Sequence, residues 1–170
     1  MDDIAYKNNR KSAIIGLMAK KRNEIRLTEE EQRKLLENAR VVQTATIGPE
    51  GQPHLVPMWY ALEDDAIVYT TYGKSQKVKN LERDPRITLL VEAGESYATL
   101  RGMSIESTAE LGREPRNTAR IMNMVASRYS REYIPDPEPD AELPPQAYKR
   151  IVIRIPLQGG RIRTWDHRKM

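Results

Sequence analysis

The chain has no cysteine and no phenylalanine, and only two histidines, His54 and His167, which lie far apart. Without cysteine there are no disulfides and no thiolate metal sites, and an intracellular setting is the default. Two distant histidines also argue against a transition-metal site held by the protein. Without phenylalanine, tyrosine, methionine and the aliphatic residues must fill the core. At 170 residues the chain is long enough for one domain with a real core.

Long apolar runs are missing as well. Near the N-terminus the longest covers residues 13–19, too short to span a bilayer, and Lys20-Lys21-Arg22 follows where a signal peptide needs small cleavage-site residues. The expectation is a cytoplasmic protein with no integral membrane segment.

Charge is plentiful. The net charge is +4, but the 28 lysines and arginines are interleaved with 24 acidic residues. There is no recognition helix, zinc finger or RNP-type pattern, so a nucleic-acid partner is not expected and the excess charge points to an anionic ligand. Hydrophobic residues make up 39% and charged residues 31%, in the range of soluble proteins.

Residues 1–27 read as a basic N-terminal arm, helical in pattern, with Ile14, Leu17 and Met18 on one side. Such an arm suits packing on the body of the protein or on a partner subunit. Residues 28–170 form the main domain. Thr28 with Glu31 three residues later is a capping-box start for a helix carrying Leu35 and Leu36.

A strand over residues 41–47, the turn Pro49-Glu50-Gly51-Gln52 and a second strand over 53–60 follow. Pro53 and Pro57 mark that second strand as an edge or irregular strand. The pattern continues with a strand over 66–71, a basic helix stopped by Asp84-Pro85, and an apolar strand over 86–91 that should be central and buried. A long strand over 97–111 with Gly102 as a bulge or close-approach point comes next. A helix opened by Glu114-Pro115 and an acidic, proline-rich surface loop over 135–145 lead to a last strand over 150–156 and Arg161-Ile162-Arg163-Thr164-Trp165. This is a mainly β, α+β architecture: a small antiparallel β-barrel decorated with helices.

One stretch carries chemistry. Residues 69–80 read as the end of a strand, a glycine turn and a helix start, with Ser75 as N-cap and Lys74, Lys77 and Lys79 crowding the first turn. The first N–H groups of a helix lack intrahelical partners and carry partial positive charge, so added lysines make the spot attractive to phosphate.

In this order the motifs resemble the pyridoxamine-phosphate-oxidase-like, FMN-binding split-barrel family. The first hairpin, Ala45-Thr46-Ile47-Gly48-Pro49-Glu50-Gly51-Gln52-Pro53-His54, is similar to theirs. So are Tyr69-Thr70-Thr71, the Lys74-Ser75-Gln76-Lys77 turn, and Asn80-Leu81-Glu82-Arg83-Asp84-Pro85-Arg86. Val56-Pro57-Met58-Trp59 and Lys74-Ser75-Gln76-Lys77 look most like the subgroup that uses the deazaflavin coenzyme F420.

The resemblance implies a six-stranded antiparallel split barrel and a homodimer with two cofactor sites at the subunit interface. It implies an oxidoreductase that passes a hydride from F420 to a small unsaturated or aromatic acceptor. An FMN-dependent oxidoreductase on the same fold, and a non-enzymatic flavin or tetrapyrrole binder, are the alternatives. Carried over by position, His54, Val56, Pro57, Met58 and Trp59 run along the ring system, largely through backbone. Tyr69 and Thr70 meet the ribityl chain, Gln76 and Lys77 hold the phosphate, and Lys74 and Ser75 beside them are cofactor-binding as well. Arg101 and Gly102 approach the flavin site, and Trp165 reaches it from the partner chain. His54 and Trp59 stand where the vitamin-converting oxidases place basic residues, and the tail from Trp165 to Met170 does not match their substrate clamp. Both departures argue against pyridoxamine phosphate as substrate.

Overall fold

A computed structural model describes residues 24–170, so all of the basic arm up to residue 23 lies outside the described residues. Thr28 opens helix α1 (Glu29–Asn38) with both halves of the capping box in place: its hydroxyl accepts from the Glu31 N–H, and the Glu31 carboxylate accepts from the Thr28 N–H. Helix α1 turns Leu35 and Leu36 into the core.

Nine strands follow, in two antiparallel sheets. The first sheet holds β1 (Val42–Ile47), β2 (Pro53–Met58), β5 (Arg86–Ala93), β6 (Arg101–Thr108) and β9 (Arg161–Asp166) in the order β2-β1-β5-β6-β9. The second holds β3 (Ala61–Glu63), β4 (Ala66–Tyr72), β7 (Glu110–Gly112) and β8 (Arg150–Pro156) in the order β3-β4-β8-β7. The chain passes between sheets at Trp59–Tyr60, through residues 73–85, at Ala109 and through the turn after Pro156. The core fills the space between them with Tyr60, Ile67, Tyr69, Leu89, Met103, Ile105 and Ile153. The barrel stays open because β9 and β3 are free edges and do not pair with each other.

The six strands expected from sequence are thus nine. The difference comes from β3, too short to show an alternation of its own, from β9, which lies outside the six expected strands, and from the single strand expected over 97–111, which splits to give the short β7. That stretch begins as a 3-10 turn at Tyr97–Thr99, forms β6, breaks at Ala109 and resumes in the other sheet as β7. The proline-bearing strand β2 is an edge, as its composition requires.

Three further helices dress the barrel. α2 (Gln76–Arg83) packs on β1, and α3 (Pro115–Ser130) lies across β3, β4 and β8. α4 (Pro145–Lys149) sits against α3. The loop over 135–145 runs on the surface and is pinned by Leu143, which is buried with Ala119 and Ala147. Arg116 also donates to the Glu138 and Ala141 carbonyls.

Candidate functional site

Strand β4 ends at Tyr72, and a turn of three residues delivers the chain into α2. This stacks polar side chains at one end of the barrel, where Thr44, Thr46, Thr71, Lys77 and Asn80 are all buried. Asn80 donates from Nδ2 to Thr46 Oγ1 across 3.0 Å and accepts from Gln76 Nε2 across 2.9 Å, tying α2 to β1. His54 faces Thr46 in the β1–β2 register, and its buried Nδ1 has no partner.

Lys77 is the centre of this cluster. Only 9% of its surface is exposed, and its Nζ donates to Thr71 Oγ1 across 3.0 Å. No carboxylate lies within salt-bridge distance of it among the described residues. Burial lowers its pKa below the usual lysine value, and the Arg150 guanidinium nearby lowers it further.

Ser75 occupies the N-cap position of α2 with extended backbone, but its side chain makes no capping bond. Its Oγ turns instead toward Thr71 Oγ1 at 3.5 Å. The first N–H groups of α2 are therefore left for another acceptor. Buried cationic charge and uncapped amides together call for an anion.

Beside this cluster opens a cleft of about 540 Å³ lined by Tyr72, Gly73, Lys74, Arg113, Tyr148, Lys149, Arg150 and Ile151. Four of the side chains are cationic and none is acidic. Arg150 lies over the Tyr72 ring at 4.5 Å and reaches Thr70 at 3.5 Å, while its Nε is buried without a partner. Arg113 also pairs with Glu82. Arg150 and Lys149 carried no signal in the sequence beyond their place at the start of a strand. Their neighbourhood exists only because Arg150 pairs with Tyr72 across β4 and β8.

The other expected site residues fall into separate places. Tyr69 is wholly enclosed in the core, and burial pushes its hydroxyl far above the usual tyrosine range despite the Thr44 hydroxyl nearby. It stands behind Thr70, which is half-buried. His54, Val56 and Met58 face inward along β2, while Pro57 points out of the sheet. Trp59, just past β2, is 56% exposed and stacks on Tyr129 of α3 with ring centroids 4.3 Å apart.

Gly102 and Trp165 are cross-strand partners, with the indole lying over the glycine so closely that a Cβ there would strike the ring. Arg101 is their neighbour at the start of β6. This group sits at the Glu92 end of β5, whereas Thr46 pairs with Ile87. Five residues of strand, about 17 Å, separate the two rows. Within one chain Lys74, Ser75, Gln76 and Lys77 come together, and Arg101, Gly102 and Trp165 form a second group away from them. Arg163, on the outward face of β9, is paired with Glu106 at 2.6 Å.

The family model described as pyridoxamine 5'-phosphate oxidase matches residues 28–160. The conserved hypothetical protein Rv2991 from Mycobacterium tuberculosis is similar at 42% identity over 86% of this chain and 89% of its own, with a TM-score of 0.75. A structure described as an F420 reductase shares the fold at 22% identity, covering 76% of this chain and 94% of that one, with a TM-score of 0.59. The haem storage protein HutZ from Vibrio cholerae shares it at 12% identity over 81% and 96%, with a TM-score of 0.52. No curated protein matches. The match over 28–160, most of the chain, leads to one assignment: the chain belongs to the pyridoxamine 5'-phosphate oxidase family.

Proposed function

We propose that the protein is an oxidoreductase that binds the deazaflavin coenzyme F420 and passes a hydride to a small unsaturated or aromatic acceptor. The observation that carries this is Lys77, a buried ammonium with a hydroxyl for its partner, at the uncapped start of α2. A phosphate meets both needs. It would accept from the Gln76 and Lys77 amides and would compensate the Lys77 charge.

The residues suit such a group. Lys77, Ser75 and Gln76 would hold the phosphate and Thr70 the adjoining chain, with His54 to Trp59 beside the ring. When bound, the coenzyme supplies a hydride equivalent; the protein supplies position, charge and exclusion of water. His54 Nδ1 is buried without a partner and is available for a ring substituent. Trp59 is held rigid by its stack on Tyr129, whose hydroxyl accepts from the Tyr60 N–H and donates to the Arg40 carbonyl. A fixed, half-open indole is a wall for a planar ligand.

The cationic cleft favours F420 over FMN. FMN ends at its phosphate, whereas F420 continues beyond it into an acidic tail, for which Lys74, Lys149 and Arg150 provide counter-charges next to the phosphate position. Arg161 and Arg163, the other basic pair near the C-terminus, lie on a different sheet and face Glu106.

Titration of the protein with F420 and with FMN tests the reading. F420 should bind in the micromolar range or tighter and FMN more weakly. Lys77→Ala should weaken F420 by about 10- to 150-fold, the equivalent of about 1.5–3 kcal/mol for a hydrogen bond to a charged group. Equal affinity of Lys77→Ala and parent removes the phosphate assignment. Tighter binding of FMN turns the choice of cofactor to FMN.

A further inference from the structure

A second recess, of about 1020 Å³, opens at the split of the barrel between the free edges β3 and β9. It is remote from the cation cluster. Leu157, in its wall, lies six residues of extended chain, about 20 Å, beyond the Ile151 of the cationic cleft. The floor is apolar, with Leu62, Met124, Leu157 and Ile162 accessible over the buried Leu36 and Met103. Ile162 pairs with Ile105 on the inward side of the sheet, yet it is 36% exposed because no strand closes the barrel beside it. Met103 and Met124 are unbranched and adapt to the shape of an occupant.

The rim is acidic, with Glu29, Glu37, Asp64 and Asp65 against two guanidinium groups. Arg128 is spent on the carbonyls of Leu36, Glu37 and Ala39 and lies over the Tyr60 ring. Along α1, Arg33 pairs with Glu37 and Lys34 with Glu30, which leaves the Glu29 carboxylate without an ion-pair partner among the described residues, like that of Asp64. The rim is also held in place. The Asp65 carboxylate accepts from Gln158 Nε2 at 2.6 Å and the Asp65 carbonyl accepts from the Leu157 N–H at 2.8 Å, fixing the turn that carries Asp64 against the turn after β8.

Charge and shape together select an occupant. An anion would meet unpaired carboxylates, and a neutral apolar body would leave them unused. A protonated amine on an apolar body satisfies both floor and rim. A compact recess of this volume is of small-molecule size, whereas a protein partner needs a face of about 800 Å².

We propose that the split of the barrel is a binding site for a small cationic amphiphile. Its apolar chain or ring lies on Leu62, Met124, Leu157 and Ile162, and its protonated amine faces Glu29 and Asp64. This goes beyond the cofactor reading and does not depend on it, because none of these residues belongs to the cation cluster.

Three probes of one chain length test it on the full-length protein by NMR titration: n-octylammonium, n-octanol and n-octanoate. Octylammonium should bind with a Kd of about 1 mM or tighter, and octanoate at least about tenfold more weakly, with octanol between them. The amide shifts should centre on residues 61–65 and 157–162. Glu29→Gln combined with Asp64→Asn removes both charges and keeps the fold, since Glu29 is exposed and asparagine accepts the positive φ of Asp64, 50°. That variant should lose about fivefold or more of the octylammonium affinity with octanol unchanged. Ile162→Gln should weaken octylammonium and octanol alike, by about fivefold or more. No saturable binding of octylammonium up to about 10 mM, octanoate as tight as octylammonium, or shifts centred elsewhere overturns the proposal. Parent affinity in either variant does the same. Groove shifts that follow protein concentration instead of octylammonium would show that a second copy covers the split, and overturn it too.

Discussion

At the residue scale Lys77 sets the pH behaviour. Its pKa is lowered first by burial and then by Arg150. In the protein alone, the unfolded chain therefore holds this proton more tightly, and the Lys77 contribution makes stability rise with pH across the gap between the two values. Ligand binding runs the other way, since the charged form is the one that meets a phosphate. Affinity should be flat near neutral pH and fall as pH rises through the lowered pKa, before the usual lysine range is reached. Lys77→Arg stays charged throughout and should lack that fall. Fluorescence titrations between about pH 7 and 10 check both limbs, and a parent curve with no alkaline fall would place the anion elsewhere. Gly102 makes a second residue-scale point. Its place under the Trp165 indole leaves no room for a methyl group, so Gly102→Ala should destabilise by about 1–3 kcal/mol through forced displacement of the ring, measured by urea unfolding.

At the scale of elements, α3 acts as a clamp. Arg128 donates to three carbonyls at the end of α1 and lies over the Tyr60 ring at 4.2 Å, while Tyr129 joins Arg40, Tyr60 and Trp59. Arg128→Ala should cost about 1.5–3 kcal/mol of stability and speed exchange of the amides in α1, because the last carbonyls of that helix lose a charged donor. A loss confined to α3 would mean the clamp carries no strain between elements.

Elements with strong local punctuation were legible: the capping box at Thr28, the helix opened by Glu114-Pro115, the edge strand marked by Pro53 and Pro57, and the turn and helix start at Ser75. What was not legible is long-range. β3 and β7 are strands only because β4 and β8 template them, and Ala109 turns a corner that no turn residue announces. In the same way Lys77 was readable from its own segment, whereas Arg150 joins it through a pairing across 78 residues of sequence, from Tyr72 to Arg150. The Ser75 cap followed the expected position but not the expected bond, since its hydroxyl finds Thr71 instead.

At the scale of the whole molecule, the outward face of the five-stranded sheet remains unexplained by one chain. Residues 86–91 read as a central, buried strand, and β5 is indeed central, but Arg86, Thr88 and Glu92 are exposed and Leu90 is half-exposed. The register lines Leu90 up with Gln43 and Pro57, and Thr88 with Ala45 and Leu55, which is 63% exposed. An antiparallel sheet that faces water on one side normally turns polar residues outward. Here the β2–β1–β5 half turns out Pro53, Leu55, Pro57, Ala45, Ile47 and Leu90 around Gln43 and Thr88, an apolar-rich face of the kind that marks an interface. If two copies pair through this half, the expectation is that Lys77 of one subunit and the Gly102–Trp165 pair of the other, which one chain alone keeps apart, complete one site. The protein should therefore run as a dimer, with a melting temperature that rises with concentration. Leu55→Arg combined with Leu90→Arg should give a monomer that keeps its secondary structure but binds cofactor at least about tenfold more weakly, because each site loses the half supplied by the partner. Sedimentation and cofactor titration on the same samples decide it. A monomeric parent, or a monomeric variant with full affinity, would mean that each chain builds its site alone and that the apolar face serves something else.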